Sequence, residues 1–231
     1  MTIASQVQAE TYGADPVAVD IRQIDGAMIT ADWLSAMVMR GLGWIVQVGD
    51  LSSPVLGGGG TNVILAQQPE LIIDIPAKWT LIPLRIAVDA EVPLLATDDE
   101  ESEILMTVDR TQINDVLSGT EVQEFPSNMR TDIVAGCPFL VASAVTANLT
   151  AAPTRSFDLA HRTIVADIFN ASTPANTFWG DLWVLYEPDN PPFVVGPASL
   201  QVHWGGTVAT SAFCQMAFLA IRSSLVTSLV A

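Results

Sequence analysis

Lysine is nearly absent from this sequence, and positive charge of any kind is scarce. Lys78 is the single lysine, and nine Lys and Arg stand against 25 Asp and Glu among 231 residues, which gives a formal net charge of −16. This balance argues against binding to a nucleic-acid backbone, which needs clustered Lys and Arg. Acidic chains poor in lysine are typical of proteins from salty environments, and a GC-rich genome that favours Arg codons explains the pattern equally well.

Long hydrophobic runs are also missing, although half of the residues are hydrophobic. No uninterrupted apolar run approaches the roughly 20 residues that span a bilayer. The segment MTIASQVQAE has neither a basic region nor an apolar core, so we do not expect a signal peptide. Only 15% of the residues are charged, against about 25% in average soluble domains. The composition therefore predicts a surface largely covered by partners in an obligate assembly.

Cysteine and histidine are too few for the usual catalytic sets. Cys137 and Cys214 have no CxxC spacing and lie in apolar strand-like runs, where a free cysteine is usually a small buried hydrophobe. His203 and Cys214 are expected on opposite faces, and a pair of His161 with Cys137 has no local support. The glycine run at 57–60 lacks the Lys-Ser/Thr ending of a phosphate-binding loop and is typical of a flexible connection. We therefore expect no enzyme, no catalytic residue and no cofactor.

The densest run of charge is DDEESE, Asp98 to Glu103. The carboxylates of Asp98, Asp99, Glu100 and Glu101 are a weak candidate for a surface cation site, because calcium takes six to eight oxygen ligands. The run has no EF-hand spacing, and a solvated loop with mutually repelling charges is the stronger interpretation. The sequence thus predicts no bound metal.

Hydrophobic residues recur with a period of two from GWIVQV onward, which indicates strands. In LIPLRIAVDAEV one face is apolar and the other carries Arg85, Asp89 and Glu91. Clusters of Pro, Gly, Asn and Asp separate many such short segments, and this spacing is typical of a sandwich or barrel. The residues expected inside the core are Ile73, Ile75, Ile82, Leu84, Ile86, Val88, Met106, Val108, Cys214 and Met216.

Helical signal is confined to two short stretches. TADWLSAMVMRG predicts a short helix with Thr30 or Asp32 as N-cap and Gly41 just past its end, and TQINDVLSG predicts one or two further turns. Residues 1–30 lack a clear period and are expected to form an extended arm.

The segment HWGGTVATSAFCQMAFLAI near the end of the chain is expected to be the far side of a β-hairpin. The preferred register has a three-residue loop and pairs Trp204 with Val208 and Val202 with Thr210. Both faces of its second strand are apolar, so the outer face needs a cover, either the chain's own arm or a neighbouring subunit. The residues expected at this interface are Phe213, Leu219, Ile221, Trp33 and Met37.

Four strand-rich segments follow the arm in order: GWIVQV, PELIIDIPAKWTLIPLRIAVDAEV, FWGDLWVLYEP and LQVHWGGTVATSAFCQMAFLAI. Over residues 41–222 their order and character resemble single-jelly-roll major capsid proteins, in particular those of the sphaerolipovirus group. These are tailless icosahedral double-stranded DNA viruses with an internal membrane, which infect halophilic archaea and Thermus. The resemblance implies an all-β, eight-stranded, two-sheet jelly roll with an N-terminal arm and one or two short helices.

The same resemblance implies a division into an arm with a short helix (1–40), the jelly roll (41–222) and a C-terminal tail (223–231). It further implies a capsid subunit, located in the virion after assembly in the host cytoplasm, that builds capsomers with copies of itself and a second capsid subunit. Internal viral membrane proteins are further possible partners. The arm is acidic and therefore not expected to contact nucleic acid directly, with Glu10, Asp15, Asp20, Asp25 and Asp32 against Arg22 and Arg40.

Two other classes of protein stay open at this point. One is a β-sandwich binding module, such as a trimeric spike or a carbohydrate- or receptor-binding protein. The other is an enzyme on a cupin-like barrel, which would need clustered His and carboxylate ligands, and two His in separate strands do not supply that set.

Overall fold

The structure is a computed structural model of the chain. It describes the following residues: 23–24, 27–28, 33–50, 52–57, 64–91, 101–111, 122–133, 136–143, 149, 154–165, 182–206 and 210–227.

Within these residues the chain is mainly β-strand. The strands are β1 (Gln23–Ile24), β2 (Ala27–Met28), β3 (Gly43–Val48), β4 (Val55–Leu56), β5 (Leu71–Ile75), β6 (Trp79–Glu91), β7 (Glu101–Asp109), β8 (Val122–Gln123), β9 (Ser127–Asn128), β10 (Leu140–Ser143), β11 (Arg155–Val165), β12 (Leu182–Tyr186), β13 (Val194–Val195), β14 (Ala198–Gly206) and β15 (Ser211–Arg222). The helices are α1 (Trp33–Met39) and α2 (Ser223–Thr227). Neither of these two helices has the length and apolar character needed to cross a membrane.

The strands form two antiparallel sheets that pack face to face. Sheet I has the order β11-β7-β14-β5-β10-β8, and sheet II has the order β12-β6-β15-β3-β9, with β13 added beside β6 and β4 beside β15. The strands β1 and β2 pair only with each other. The largest buried cluster takes side chains from both sheets, so the core lies between them.

The pairing of the long strands is nested. Among the described residues, eight strands have five residues or more: β3, β5, β6, β7, β11, β12, β14 and β15. The first pairs with the last, the second with the seventh, the third with the sixth and the fourth with the fifth. A long hairpin folded over on itself into two four-stranded sheets has this pattern, and it is the pattern of a jelly roll. The expected all-β, jelly-roll-like sandwich is confirmed, with short strands widening both sheets.

The core follows the period-two prediction with one shift on β6. Ile86 and Val88 face the core as expected, and so do Cys214 and Met216 on β15. Further toward the start of β6, Ile82 is buried on the opposite face, and Leu84 packs partly against that second cluster. The reason is a bulge, because Arg85 pairs with Ala217 and Pro83 with Phe218, which leaves Leu84 without a partner on β15. Proline has no N–H to donate, so it is confined to edges and bulges of a sheet.

The expected closing hairpin is wrong. β14 pairs with β5 and β7 in sheet I, whereas β15 pairs with β3 and β6 in sheet II, so the chain crosses from one sheet to the other between these strands. Two strand-like segments flank the pair Gly205–Gly206 in the sequence, which is also the pattern of a hairpin, but this pair is the end of β14. Each strand is already flanked on both sides within its own sheet, so they do not pair with each other.

The predicted helix is present as α1, and its end explains Gly41. The Leu42 N–H donates to the Met37 carbonyl at 3.1 Å, and the Gly41 N–H donates to the Val38 carbonyl at 2.8 Å. Gly41 has a φ of 78°, the left-handed conformation that glycine adopts at this end of a helix. The proposed N-caps Thr30 and Asp32 lie outside the described residues, as does most of the second predicted helix. The sequence reasoning did not find α2.

Candidate subunit interface

The outer face of sheet II carries apolar side chains at alternate positions of four strands. Cross-strand register places Trp183 beside Asp89, and Asp89 beside Phe213. The next row runs from Leu185 through Ala87 to Gln215 and Gln47, and a third runs from Arg85 through Ala217 to Ile45. Trp183 is 50% exposed and Leu185 is 42% exposed. The outer face is therefore open, and its apolar side chains are interspersed with Arg85, Asp89, Gln47 and Gln215.

An open groove of about 330 Å³ runs across this face. Its lining residues are Gln47, Arg85, Ala87, Val88, Asp89, Trp183, Val184, Leu185, Phe213 and Gln215. The Arg85 Nη1 donates to Gln215 Oε1 at 3.2 Å, which holds the guanidinium over the groove. At its edge the Arg162 Nη1 donates to the Trp183 carbonyl at 2.7 Å, and the Arg162 guanidinium lies 6.0 Å from the Trp183 ring centre. The groove thus combines aromatic walls with fixed positive charge.

The other half of the same face is covered by the chain itself. Leu219 and Ile221 project outward from β15, and both are buried with Ile82 in a cluster against which Met37 and Val38 of α1 pack. The cover of these outward residues is thus the helix that precedes the sandwich, which is the intrachain alternative that the sequence left open.

The five residues predicted at an interface therefore separate into three groups. Leu219 and Ile221 lie under α1, and Met37 is the part of α1 that contacts them. Trp33 lies at the start of α1 and is 50% exposed. Phe213 is half-buried in the groove. Leu219 and Ile221 are buried, whereas Trp33, Met37 and Phe213 keep accessible surface, and their role at an interface stays a prediction.

The outer face of sheet I is different, because its centre is polar and already buried. Ser199, Gln201 and His203 alternate with core residues along β14, and none is more than 1% exposed. The Gln201 Nε2 donates to Ser199 Oγ at 3.0 Å, and His203 Nε2 lies 3.3 Å from Gln201 Oε1. Nearby, Asp109 accepts hydrogen bonds from Thr111 and from the backbone of Thr154. The centre of this face is therefore polar and closed, and the exposed apolar side chains of sheet I lie on its outer strands, at Leu140 and Phe157.

The two cysteines do not form a nucleophilic site with histidine in the described part of the chain. Burial raises the pKa of the Cys137 thiol to about 11 and that of the Cys214 thiol to about 12. A thiol of high pKa is protonated at neutral pH and is a weak nucleophile. Cys214 faces the core from sheet II, whereas His203 lies on the outer face of sheet I. His161 instead contacts Glu103, with 3.2 Å between Nε2 and Oε2.

The weak cation candidate lies mostly beyond what the structure describes. Asp98, Asp99 and Glu100 are outside the described residues, and Glu101 is half-buried at the start of β7. Within the described ranges there is no group of three or more His, Cys, Asp or Glu side chains able to hold a metal ion.

Sequence reasoning missed the groove itself. The alternation predicts Arg85 and Asp89 on the polar face of a strand, but it does not link them to Trp183. The link is the register of three strands, β12, β6 and β15, which brings residues about 95 to 130 positions apart into one row. A signal was present in LWVLY, a strand with no polar residue on either face.

No protein-family model, curated protein or solved structure matches the chain.

Proposed function

We propose that this chain is a structural subunit of an icosahedral viral capsid, which assembles with copies of itself and with a second capsid subunit into capsomers. The nested strand pairing supports the proposal, because double-sheet jelly rolls are a fold of viral capsid domains. Lectin domains and cupins share that architecture, so the fold is not sufficient, and function has to be argued from a site.

The observation that carries the proposal is the accessible apolar face of sheet II. Trp183 and Leu185 are about half exposed on β12, the strand at one edge of the sheet, and Ile45 is 36% exposed on β3 toward the other edge. An apolar patch with polar groups at its rim marks an interaction site, since isolated soluble domains rarely leave a large one open. Burying these apolar side chains against a neighbouring subunit would stabilise the contact between the two subunits. Side-by-side packing in a capsomer requires such contacts.

Composition supports the same role. With nine basic residues against 25 acidic ones, the chain has little capacity to neutralise phosphate, so a shell subunit without direct nucleic-acid contact fits it. The proposal places the protein in the virion, outside an internal membrane, where viral membrane proteins are its inner neighbours. The small share of charged residues, 15%, fits a surface that is extensively covered.

Purified protein tests this role. At molar salt, sedimentation velocity and negative-stain electron microscopy should show capsomers, sheets or shells, alone or after addition of a second capsid subunit. The double variant Trp183→Ser/Leu185→Ser should remain folded by circular dichroism but should no longer form the large assemblies. A chain that stays monomeric at high concentration, with and without that second subunit, would contradict the proposal.

The second candidate function is a binding module for carbohydrate or for a receptor. The observation that favours it is the groove, because Trp183 and Phe213 offer aromatic faces beside the hydrogen-bonding groups of Gln47 and Gln215. A glycan array with the wild-type chain and Trp183→Ala separates the candidates. Saturable binding lost in the variant, together with a discrete trimer by sedimentation, supports the module over the capsid subunit.

A further inference from the structure

Two opposite charges on the outer face of β6 have no partner of opposite charge among the residues that the structure describes. Arg85 and Asp89 both project into the groove, with Ala87 between them. The ion pairs among the described residues are Arg130–Asp132, Arg155–Asp158 and His161–Glu103, so neither Arg85 nor Asp89 takes part in one. Arg85 is exposed and bonded to Gln215, so in a chain with only nine basic residues its guanidinium is accessible to a carboxylate of a partner.

The two charges are arranged symmetrically. Each lies two residues from Ala87 along the strand, roughly 7 Å at about 3.3 Å per residue. Leu185 of β12 is the cross-strand partner of Ala87 and therefore lies level with this midpoint. On β6 the positive charge thus lies on one side of a line through Ala87 and Leu185 and the negative charge on the other, with an exposed leucine on the line. Arg162, which contacts Trp183 at the edge of the groove, lies on the Asp89 side.

We propose that this face binds the same face of a second copy of the chain, about a two-fold axis that runs across the strands at Ala87. The rotation brings Arg85 of each copy opposite Asp89 of the other and Leu185 opposite its own counterpart. An interface in which the same patch serves both subunits is the usual form of a homodimer. Two sheets that pack face to face leave about 10 Å between them, a distance that side chains of this size fill.

The charges favour a second copy over an acidic partner of another kind. A generally acidic surface would match Arg85 but would place like charge against Asp89, at a cost to binding. A second copy satisfies both groups at once. The inference rests on the proposed role as an assembling subunit and names the partner and geometry of one of its contacts.

Charge exchange tests the geometry. Arg85→Asp and Asp89→Arg each place like charges opposite one another, so each single variant should weaken dimerisation by about 10-fold or more in sedimentation equilibrium. The double variant Arg85→Asp/Asp89→Arg restores both pairs and should recover the wild-type dissociation constant. The matched control exchanges Arg130 and Asp132, an exposed pair within one chain, and should leave dimerisation unchanged. Circular dichroism checks that every variant is folded.

Crosslinking tests the position of the axis. In a Cys137→Ser background, Leu185→Cys should form a covalent dimer with a short bismaleimide, because the two copies of this residue face each other on the axis. Ile45→Cys, equally accessible but off the axis, should not. The proposed interface is wrong if the double charge variant dimerises as weakly as the single variants. It is also wrong if Leu185→Cys and Ile45→Cys crosslink equally.

The outcomes also separate this inference from the proposed function. If the wild-type chain forms large assemblies but the double charge variant does not recover dimerisation, the capsid role stands and the proposed interface is wrong. If the chain forms a charge-dependent dimer but assembles no further, at any salt concentration and with a second capsid subunit present, the interface stands and the capsid role is wrong.

Discussion

Ile86 of β6 and Met216 of β15 are direct cross-strand partners, and neither side chain is accessible to solvent. They lie in the core between the sheets, with Val88 and Cys214 as the next pair along the same two strands. This ladder forms the centre of sheet II, so the stability of the sandwich depends on it.

Replacing Ile86 with Asp should prevent folding. The change buries a carboxylate without a partner and removes a filled core position, and the cost of several kcal/mol is comparable with the roughly 5–15 kcal/mol that stabilises a whole domain. Circular dichroism and size exclusion measure the result. Ala87→Asp, the same carboxylate on the adjacent outward position, should fold. A native spectrum for Ile86→Asp would contradict the assignment of this face to the core.

Replacing Leu219 with Ala should loosen α1 from the sheet. Leu219 is fully buried against Ile82, and Met37 packs on the same cluster, so the cavity should lower the free energy of unfolding by about 2–5 kcal/mol. Phe213→Ala, on the same face of the same strand but half-buried, should lose on the order of 1 kcal/mol. Urea unfolding gives both values, and faster amide exchange at Leu42 would report the release of the helix. Equal losses for the two variants would argue against this cover.

The buried His203 should make stability depend on pH. Burial, with a contribution from the positive charge of Arg155, lowers the pKa of His203 to about 3, against about 6.5 in an unfolded chain. As pH falls below about 6.5 the unfolded chain takes up a proton that the folded chain does not. Stability should therefore fall by about 1.4 kcal/mol per pH unit from this group, between pH 6.5 and pH 3.

The measurement is urea unfolding of the wild type and of His203→Gln at pH 7, 6, 5 and 4. The carboxylates contribute to both curves, so the difference between the two slopes isolates the histidine. Parallel curves would mean that His203 titrates alike in the folded and unfolded chains.

Gly57 should not tolerate a side chain. A methyl group at this position would overlap the backbone carbonyl of Trp204, whose ring is buried and donates from Nε1 to the Val55 carbonyl at 3.0 Å. Gly57→Ala should therefore cost about 1–3 kcal/mol. Gly136→Ala is the control, because among the described residues beyond its chain neighbours no atom lies within 4 Å of an added methyl group there. An equal change in the midpoint of thermal unfolding for both variants would contradict the close contact between Gly57 and the Trp204 carbonyl.

Removing salt should loosen an assembled particle while the subunit stays folded. Every copy carries a formal charge of −16, and the Debye length grows from about 3 Å at 1 M salt to about 10 Å at 0.1 M. Repulsion between neighbouring acidic surfaces therefore increases on dilution, while apolar contacts gain little. Light scattering during dialysis into low salt with a chelator follows the particle, and circular dichroism follows the fold. Particles that survive this dialysis would show that apolar burial outweighs the charge.

The sequence by itself determined the alternation along the long strands, and with it the side chains that face the core outside the bulge on β6. Alternation along β15 places Cys214, Met216 and Phe218 in the core as expected, because the period of a strand is a local property of its backbone. The helix α1 and its end at Gly41 were likewise predicted, since a helix terminus depends on residues adjacent in sequence. The all-β class followed from the number and spacing of such segments.

Only the tertiary structure decided which strands are neighbours and what covers each face. An alternating strand has the same pattern in either sheet, so β14 and β15 were paired in sequence reasoning although they lie in different sheets. The bulge at Leu84 reversed the face of Ile82, because a single extra residue shifts the period without changing composition. The row that joins Trp183, Asp89 and Phe213 depends on the register between three distant strands, which long-range pairing sets and local sequence does not.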